Sequence, residues 1–177
     1  MITTKMSRHI IIKSIDQING YGTIDSLANE HGFKKVGYCI ITEDKNGKEV
    51  MKSILSEKKK KQEWIYIITV DNFILKAGGT ADGIGGRFGS YRAGTIKNRE
   101  NGTCSVTNYI VQQSILNMIR LGHKVEIYGY KVPSVTVNLD VFGLTKEIKT
   151  SIFKQYEETI FNILEQKFGS RPILSLN

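Results

Sequence analysis

The sequence predicts a mixed α/β (α+β) fold in which a small central antiparallel β-sheet is flanked by helices. Two pairs of runs rich in β-branched and aromatic residues are each joined by a short turn, which indicates two β-hairpins. Later segments carry apolar residues at helical spacing. The 177 residues suit one compact domain, and a content of 40% hydrophobic residues with only two prolines excludes a disordered or collagen-like chain.

The N-terminal part of the chain is predicted to contain two helices and a hairpin. The first helix spans Ser7 to Gly20, with Ser7 as its N-cap, and the second spans about Ile24 to His31. The hairpin strands, residues 37–42 and 48–54, flank the sequence Asn46-Gly47, which is typical of a tight hairpin turn. We interpret these elements as an accessory region of the fold.

The second hairpin joins a strand over Trp64–Val70 to a strand over Phe73–Gly78 through Asp71-Asn72. The glycine-rich connection after it, residues 78–89, does not end in Gly-Lys-Ser/Thr, so it is not a phosphate-binding P-loop. The remaining elements are predicted, in order, as a helix at 108–121, strands at 123–132 and 135–141, and a helix at 145–167.

The charge of the chain indicates a polyanionic partner. Its 25 Lys and Arg residues exceed its 17 Asp and Glu residues and give a net charge of +8. The lysine run at Lys58, Lys59 and Lys60 concentrates part of this charge, and Arg92 follows the glycine-rich segment. We expect these four residues to contact nucleic-acid phosphates; the alternative is a solvated basic surface.

The cysteine content and the hydropathy pattern exclude several other classes of protein. Cys39 and Cys104 are too few for a disulfide framework and lack the CxxC spacing of a zinc site. The apolar runs are far shorter than the ~20 residues that a membrane span needs. We therefore expect a cytoplasmic protein with reduced thiols and no membrane partner.

Two short motifs lie on the strands of the second hairpin. Trp64-Ile65-Tyr66 and Lys76-Ala77-Gly78 resemble degenerate halves of the GIY-YIG nuclease motif. The residues after the hairpin also resemble that family in their order: Arg87, then Tyr91 four residues later, a helix, a strand, and a final helix that carries glutamates. Lysine in place of the second tyrosine is similar to the small Type II restriction endonuclease branch, which includes an enzyme that cuts TCNGA.

This resemblance implies a site-specific endonuclease of double-stranded DNA. Residues 63–177 would form the catalytic domain, and residues 1–62 would form an accessory region that contacts DNA. The resemblance also implies one Mg²⁺ per active site, a homodimer that cuts both strands, and a cognate methyltransferase acting on the same site. The catalytic residues that it implies are Tyr66, Lys76, Arg87, Tyr91 and Glu157, with Glu157 also as the metal ligand.

Physical chemistry supports these roles. A tyrosine is a poor base unless nearby cations stabilise its phenolate, and Lys76 and Arg87 could supply that charge to Tyr66. Arg87 also offers a planar fork of donors to a phosphate. If the segment after Gly86 is helical, Arg87 and Tyr91 lie on one face of it. Tyr66 could equally be an ordinary core aromatic.

The metal ligand is chosen by helical geometry. The last predicted helix offers Glu147, Glu157, Glu158 and Glu165. Glu157 falls beside Phe153 and Ile160 at the edge of the apolar face, whereas Glu158 points away from that face. Because Mg²⁺ prefers oxygen ligands and keeps several waters, one glutamate is enough. The family often carries an asparagine after this helix, and Asn177 is the candidate.

Three alternative hypotheses fit parts of the sequence. Asp140 with Glu147-Ile148-Lys149 matches a PD-(D/E)xK nuclease site, but Glu-x-Lys occurs elsewhere in this lysine-rich chain and carries little information. A non-catalytic helix-turn-helix module could use the predicted helices at 10–18 and 24–31 to bind DNA. A GIY-YIG nuclease of the homing or repair type would share the predicted site.

Overall fold

The computed structural model describes residues 10–57 and 61–175. The strands are β1 Lys34–Glu43, β2 Glu49–Leu55, β3 Trp64–Val70, β4 Phe73–Thr80, β5 Val125–Lys131, β6 Val135–Val141 and β7 Leu144–Thr150. The helices are α1 Ile24–His31, α2 Ile84–Arg92, α3 Ile96–Glu100, α4 Val106–Arg120 and α5 Phe153–Phe168. The first five strands form one sheet in the order β2-β1-β5-β3-β4, and all neighbouring pairs are antiparallel. The predicted fold class is confirmed.

Both predicted hairpins are confirmed, and they belong to one sheet. β3 and β4 are joined by Asp71 and Asn72, which have φ angles of 46° and 76°, as a tight hairpin turn requires. β5 pairs with β1 on one side and with β3 on the other. The N-terminal hairpin therefore extends the same sheet as the second hairpin, and the predicted division at residue 62 falls between two strands of it.

Helices cover both faces of the sheet. Tyr66, Phe88 and Ile115 belong to the core between the sheet and helices α2 and α4. Ile67 and Leu164 belong to the core on the opposite face, beneath α1 and α5. Because side chains alternate along a strand, β3 contributes to both cores, and all of its residues are buried. The β3–β4 hairpin thus presents one set of side chains to α2 and the other to α5.

The predicted first helix is wrong within the described residues, and its cap Ser7 lies outside them. Residues 10–13 have no regular secondary structure, and only a short 3-10 turn forms at Ile15–Gln17. The Ile12 N–H donates to Ser114 Oγ at 2.9 Å, and the Ile12 carbonyl accepts from Asn117 Nδ2 at 3.0 Å. Because α4 satisfies this backbone, the isoleucines enter the core without forming a helix.

The last helix begins at Phe153, so its predicted start at residue 145 is wrong. Residues 144–150 instead form β7, which pairs with β6 around Phe142 and Gly143, at φ angles of 55° and 81°. This two-stranded ribbon carries its apolar side chains on one face, and that face is exposed. Glu147 lies on the ribbon, so it is not a residue of the last helix as predicted.

The other predicted elements are confirmed with small shifts of their ends. α1 and α4 lie where the sequence predicted them, and β5 and β6 match the two predicted strands. Arg87 and Tyr91 both lie on α2. Within residues 10–57 and 61–175, no helix has the length and apolar character needed to cross a membrane.

Candidate active site

Tyr66 lies at the centre of the candidate site. Its side chain is 1% exposed and points from β3 toward α2. Gly78 faces it across the β3–β4 pair, and a Cβ atom at Gly78 would lie 2.6 Å from Tyr66 Oη. Such a contact is not tolerated between real atoms, so the glycine leaves the space that the phenol occupies. This is a physical reason for the glycine in the second motif.

Two residues of α2 surround the Tyr66 hydroxyl. Arg87 Nε donates to Tyr66 Oη at 3.1 Å, and the Oη atoms of Tyr66 and Tyr91 are 2.5 Å apart. The Arg87 guanidinium also lies 4.5 Å from the centre of the Tyr91 ring. Phe88 packs edge-on against both tyrosine rings and holds them in place. The shared helical face predicted for Arg87 and Tyr91 is therefore observed.

The surroundings of this cluster fix its protonation. Burial, with Tyr66 alongside, raises the pKa of Tyr91 well above its ordinary value. Tyr91 therefore keeps its proton and can donate it to the Tyr66 oxygen once Tyr66 has given up its own proton. Burial opposes the charge of Arg87, but the two tyrosines outweigh burial and raise its pKa. Arg87 is thus a permanent cation that donates to the Tyr66 oxygen, and the Tyr91 hydroxyl lies within hydrogen-bond distance of the same oxygen.

Lys76 brings a second cation to the same side of the sheet. It lies on β4 and is only 4% exposed, and its Nζ donates to the carbonyl oxygen of Leu174 at 2.7 Å. Burial, reinforced by the charge of Arg87, lowers the pKa of Lys76 to about 8, and the charge of Glu157 partly opposes this shift. Lys76 can therefore lose its proton under mildly alkaline conditions.

Glu157 reaches the site from α5. Its Oε1 accepts a hydrogen bond from the Gly79 N–H at 2.5 Å, and its Oε2 lies 2.6 Å from Lys154 Nζ. A Cβ atom at Gly79 would lie 2.6 Å from the Phe153 ring, so this glycine allows α5 to approach β4 closely. The predicted choice of Glu157 over Glu158 agrees with the geometry, because Glu158 is exposed on another face.

An open cavity of about 390 Å³ connects these groups. Tyr66, Lys76, Arg87 and Glu157 line it, and Asn108, in the first turn of α4, forms part of the opposite wall. The Asn108 Oδ1 atom is buried and has no hydrogen-bond partner within the described part of the chain. Tyr91 lies behind Tyr66 and Arg87 and does not line the cavity. The site therefore combines two cations, one phenol and one carboxylate around an opening to solvent.

A metal ion in this cavity would have few protein ligands. Among the described residues, no group of three His, Cys, Asp or Glu side chains could hold a metal ion, and Glu157 is the one carboxylate that lines the cavity. The Glu157 side chain is 17% exposed, and Lys154, which pairs with it, is 70% exposed and can turn away. One accessible carboxylate fits Mg²⁺, which keeps most of its waters when it binds to protein.

Of the residues predicted to contact phosphates, the structure describes Arg92 alone, and it lies outside the cavity. Arg92 lines a second cleft, between α2 and β2, of about 620 Å³, together with Lys52 and Lys61. Lys58, Lys59 and Lys60 are outside the described residues, as is Asn177. Glu147 and Glu165 do not line the cavity. Arg92 and Arg87, both on α2, therefore line different openings of the surface.

The sequence analysis missed the part of the site that the C-terminal segment contributes. Ser175 Oγ accepts from the Ala77 N–H at 2.9 Å and donates to the Ala77 carbonyl at 2.8 Å, beside the Leu174 carbonyl that holds Lys76. Asn108 was also missed. A buried polar pair far apart in sequence leaves no local pattern, so periodicity and spacing could not reveal these contacts.

No protein-family model matches the chain, and no curated protein matches it by sequence. Among solved structures it is similar to the restriction endonuclease HPY188I in complex with product DNA, with a TM-score of 0.62 and 25% identity over 99% of this chain and 98% of that one. It is also similar to a mutant of the bacteriophage T4 nuclease EndoII, with a TM-score of 0.54 and 20% identity over 80% of this chain and 95% of that one. The chain has the fold of a restriction-enzyme-like nuclease.

Proposed function

We propose that the chain is a magnesium-dependent endonuclease that cuts double-stranded DNA at a specific site, with a GIY-YIG type of active site. The observation that supports this most strongly is the environment of Tyr66. Its hydroxyl oxygen accepts a hydrogen bond from Arg87 and lies 2.5 Å from the Tyr91 hydroxyl, in a cavity that also contains Lys76 and Glu157. An ordinary core tyrosine needs neither two polar partners of this kind nor an opening to solvent.

Tyr66 is proposed as the general base. Two hydrogen-bond donors on its oxygen, one of them a permanent cation, stabilise the phenolate that must form before it can accept a proton. The attacking water then gives its proton to the Tyr66 phenolate as its oxygen forms a bond to phosphorus. The bond from phosphorus to the leaving sugar oxygen breaks, and that oxygen takes up a proton from solvent. Tyr91 keeps its own proton, so it acts as a donor throughout the reaction.

The cations of the site are proposed to stabilise the negative charge that develops on the phosphate. Arg87 lines the cavity and has two terminal donor nitrogens besides the Nε that binds Tyr66, and Lys76 lines the same cavity. Glu157 would hold the Mg²⁺, which supplies charge stabilisation to the phosphate when it is bound. The Gly79 N–H keeps the Glu157 carboxylate at the cavity wall.

DNA is the proposed substrate because both charge and similarity favour it. The net charge of +8 suits a polyanion, and the restriction endonuclease HPY188I is similar to this chain over nearly its whole length. Every described residue of the proposed site lies within residues 63–177, which supports a catalytic domain with those bounds. We propose that residues 1–62 and Arg92 contact DNA outside the cavity.

Cutting both strands at a palindromic site normally takes two active sites, so we propose a homodimer. Light scattering after gel filtration, with and without DNA, tests this, and a monomer under both conditions would contradict it.

A restriction enzyme also requires protection of host DNA, so a cognate methyltransferase is the expected partner. Plasmid methylated at the cut site should then resist the enzyme.

Plasmid and phage DNA incubated with the purified protein and Mg²⁺ provide the direct test. We expect discrete fragments, whose ends give the recognition sequence, and TCNGA is the first candidate to compare. Tyr66→Phe and Glu157→Gln should both abolish cutting while DNA binding is retained. Glu158→Gln, one residue away on the exposed face of α5, is the matched control and should cut normally.

Each other result has a distinct meaning. DNA that binds but stays intact with every divalent metal would support the non-catalytic binding module, although the first helix of its helix-turn-helix is absent from the described residues. A single cut in a large genome or cutting of damaged DNA alone would support the homing or repair type of nuclease. Normal cutting by Tyr66→Phe would refute the proposed base.

A further inference from the structure

The Lys76 ammonium is held by a segment that lies at the far end of the chain. After α5 ends at Phe168, the chain reverses, and Ile173–Ser175 forms a 3-10 turn beside β4. The Leu174 carbonyl in this turn accepts the hydrogen bond from Lys76 Nζ at 2.7 Å, 98 residues away in sequence. The position of a cavity-lining cation therefore depends on where this turn is docked.

One side chain links the turn to the backbone of β4 through two hydrogen bonds. β4 is an edge strand, so one side of its backbone has no strand partner among the described residues. Ser175 Oγ forms hydrogen bonds with both backbone polar groups of Ala77 on that side. It accepts from the Ala77 N–H at 2.9 Å and donates to the Ala77 carbonyl at 2.8 Å. Ser175 is 2% exposed, so water does not compete for these bonds.

We infer that Ser175 is a positioning residue, which clamps the C-terminal turn to the edge of β4 so that the Leu174 carbonyl holds the Lys76 ammonium in the cavity. This inference rests on the proposed function, since it assigns Ser175 a role in the same site. Ala77, which Ser175 binds, is the neighbour of Lys76 on β4. The clamp therefore fixes the carbonyl and the strand relative to each other at the point where the lysine side chain begins.

The turn has hydrophobic contacts as well, and these provide a matched control. Leu174 is buried in the core, and Ile173 packs against the same core without taking part in the hydrogen bonds. Ile173→Ala should weaken the packing of the turn but leave the clamp intact. Ser175→Ala removes both hydrogen bonds and leaves the hydrophobic contacts, and Ser175→Thr retains a hydroxyl.

The first measurement is the ¹H–¹⁵N signal of the Lys76 ammonium in metal-free protein without DNA, at slightly acidic pH. We expect a visible signal in the wild type, because a buried, hydrogen-bonded ammonium exchanges its protons slowly, and Lys76→Met assigns it by its loss. Ser175→Ala should lose the signal because water reaches the ammonium, and Ile173→Ala and Ser175→Thr should keep it.

The second measurement is DNA cleavage. Ser175→Ala should lower kcat about tenfold or more, since displacement of a group in an active site by about 1 Å can cost up to about 10²-fold. The KM for DNA should stay within about twofold, because Ser175, although it lines the cavity, is 2% exposed and uses its hydroxyl for the Ala77 backbone. Ser175→Thr should recover most of kcat, and Ile173→Ala should lower the melting temperature without lowering kcat.

Failure of this inference and failure of the proposed function are distinguishable. A wild type that never cuts DNA would refute the function, while the ammonium signal would still test the clamp. Absence of a protected signal in the folded wild type would overturn the inference, and so would its persistence in Ser175→Ala. Equal loss of signal in Ile173→Ala and Ser175→Ala would also overturn it, because general loosening of the turn would then explain both.

Discussion

The hydroxyl oxygens of Tyr66 and Tyr91 are 2.5 Å apart, and only one of the two residues opens into the cavity. Burial keeps the proton on Tyr91, so Tyr91 can donate to the Tyr66 oxygen once Tyr66 has given up its own proton. In the proposed reaction Tyr91 therefore supports the base, and its contribution can be measured separately from that of Tyr66.

Tyr91→Phe should lower the single-turnover rate of DNA cleavage by about 10²-fold, the usual cost of removing one buried donor to a developing charge. The fold should be retained, because the ring keeps its edge-on contact with Phe88. Tyr38→Phe makes the same chemical change on an exposed tyrosine of β1 and serves as the control. Equal rates in Tyr91→Phe and the wild type would refute the donor role.

Arg87→Lys should reduce the single-turnover rate by about 10²-fold or more, although it conserves charge. Lysine cannot donate from the Nε position to Tyr66 and at the same time offer a planar fork to a phosphate. Filter binding in the absence of metal should show nearly unchanged affinity for DNA. A loss of binding that accounts for the whole defect would indicate that Arg87 serves only to hold DNA.

Arg92→Ala should weaken DNA binding and leave the cleavage rate unchanged, although Arg92 belongs to the same helix as Arg87. Arg92 lines the second cleft and not the cavity, so the rate at saturating DNA should not change. Binding should weaken, and the slope of log affinity against log salt should fall by about one, as expected for the loss of one phosphate contact. An unchanged salt slope would exclude a phosphate contact by Arg92.

Lys76 should make the stability of the protein depend on pH in an unusual direction. Its pKa falls from an ordinary value of 10.5 to about 8 in the fold, so between these values the unfolded chain binds a proton that the folded chain lacks. The Lys76 contribution to the free energy of unfolding therefore rises with pH in this window. Below pH 8 both states are protonated, and the buried charge destabilises the fold.

Urea unfolding of the wild type and of Lys76→Met at several pH values measures this effect. The free energy of unfolding of the wild type should gain on the order of 3 kcal/mol relative to Lys76→Met as pH rises from about 8 to 10.5. If the difference in free energy of unfolding between the wild type and Lys76→Met stays constant across this window, the pKa of Lys76 is not lowered in the fold.

Gly78→Ala should inactivate the protein by displacing Tyr66. The added methyl group would lie 2.6 Å from the Tyr66 hydroxyl, so the ring must shift away from its contacts with Phe88 and Tyr91. We expect a loss of about 1–3 kcal/mol of stability from this overpacking, together with a large fall in cleavage rate. Gly20→Ala is the control, since a Cβ atom at Gly20 meets nothing within 4 Å. Wild-type activity in Gly78→Ala would contradict the observed register.

The resemblance of two motifs selected the residues of the candidate site, and local sequence patterns predicted how they would be placed, because these residues lie on regular elements. Strand alternation placed Tyr66 and Lys76 on one hairpin, and helical spacing placed Arg87 with Tyr91 and brought Glu157 to the apolar edge of α5. Strand alternation and helical spacing relate residues that are only a few positions apart. They can therefore be recognised in a single sequence.

The errors lie where distant segments satisfy the backbone. The Ile12 backbone binds α4 side chains more than 100 residues later, so a run of isoleucines that resembles a helix does not form one. The predicted last helix wrongly includes most of β7, because Ile148 lies four residues before Ile152 and fits helical spacing as well as it fits alternation. The turn at Phe142-Gly143 is the feature that distinguishes a β-ribbon from a helix in this segment.

Main-chain groups anchor two charged side chains of this site: the Gly79 N–H holds Glu157, and the Leu174 carbonyl holds Lys76. A carbonyl is present whatever side chain its residue carries, so Leu174 is free to mutate to other apolar residues without loss of its bond to Lys76. Many of the surrounding side chains can therefore be substituted during evolution while the two charged groups stay in the same positions. A site built in this way permits wide sequence divergence, in line with the 25% identity that this chain shares with a similar structure across 99% of its length.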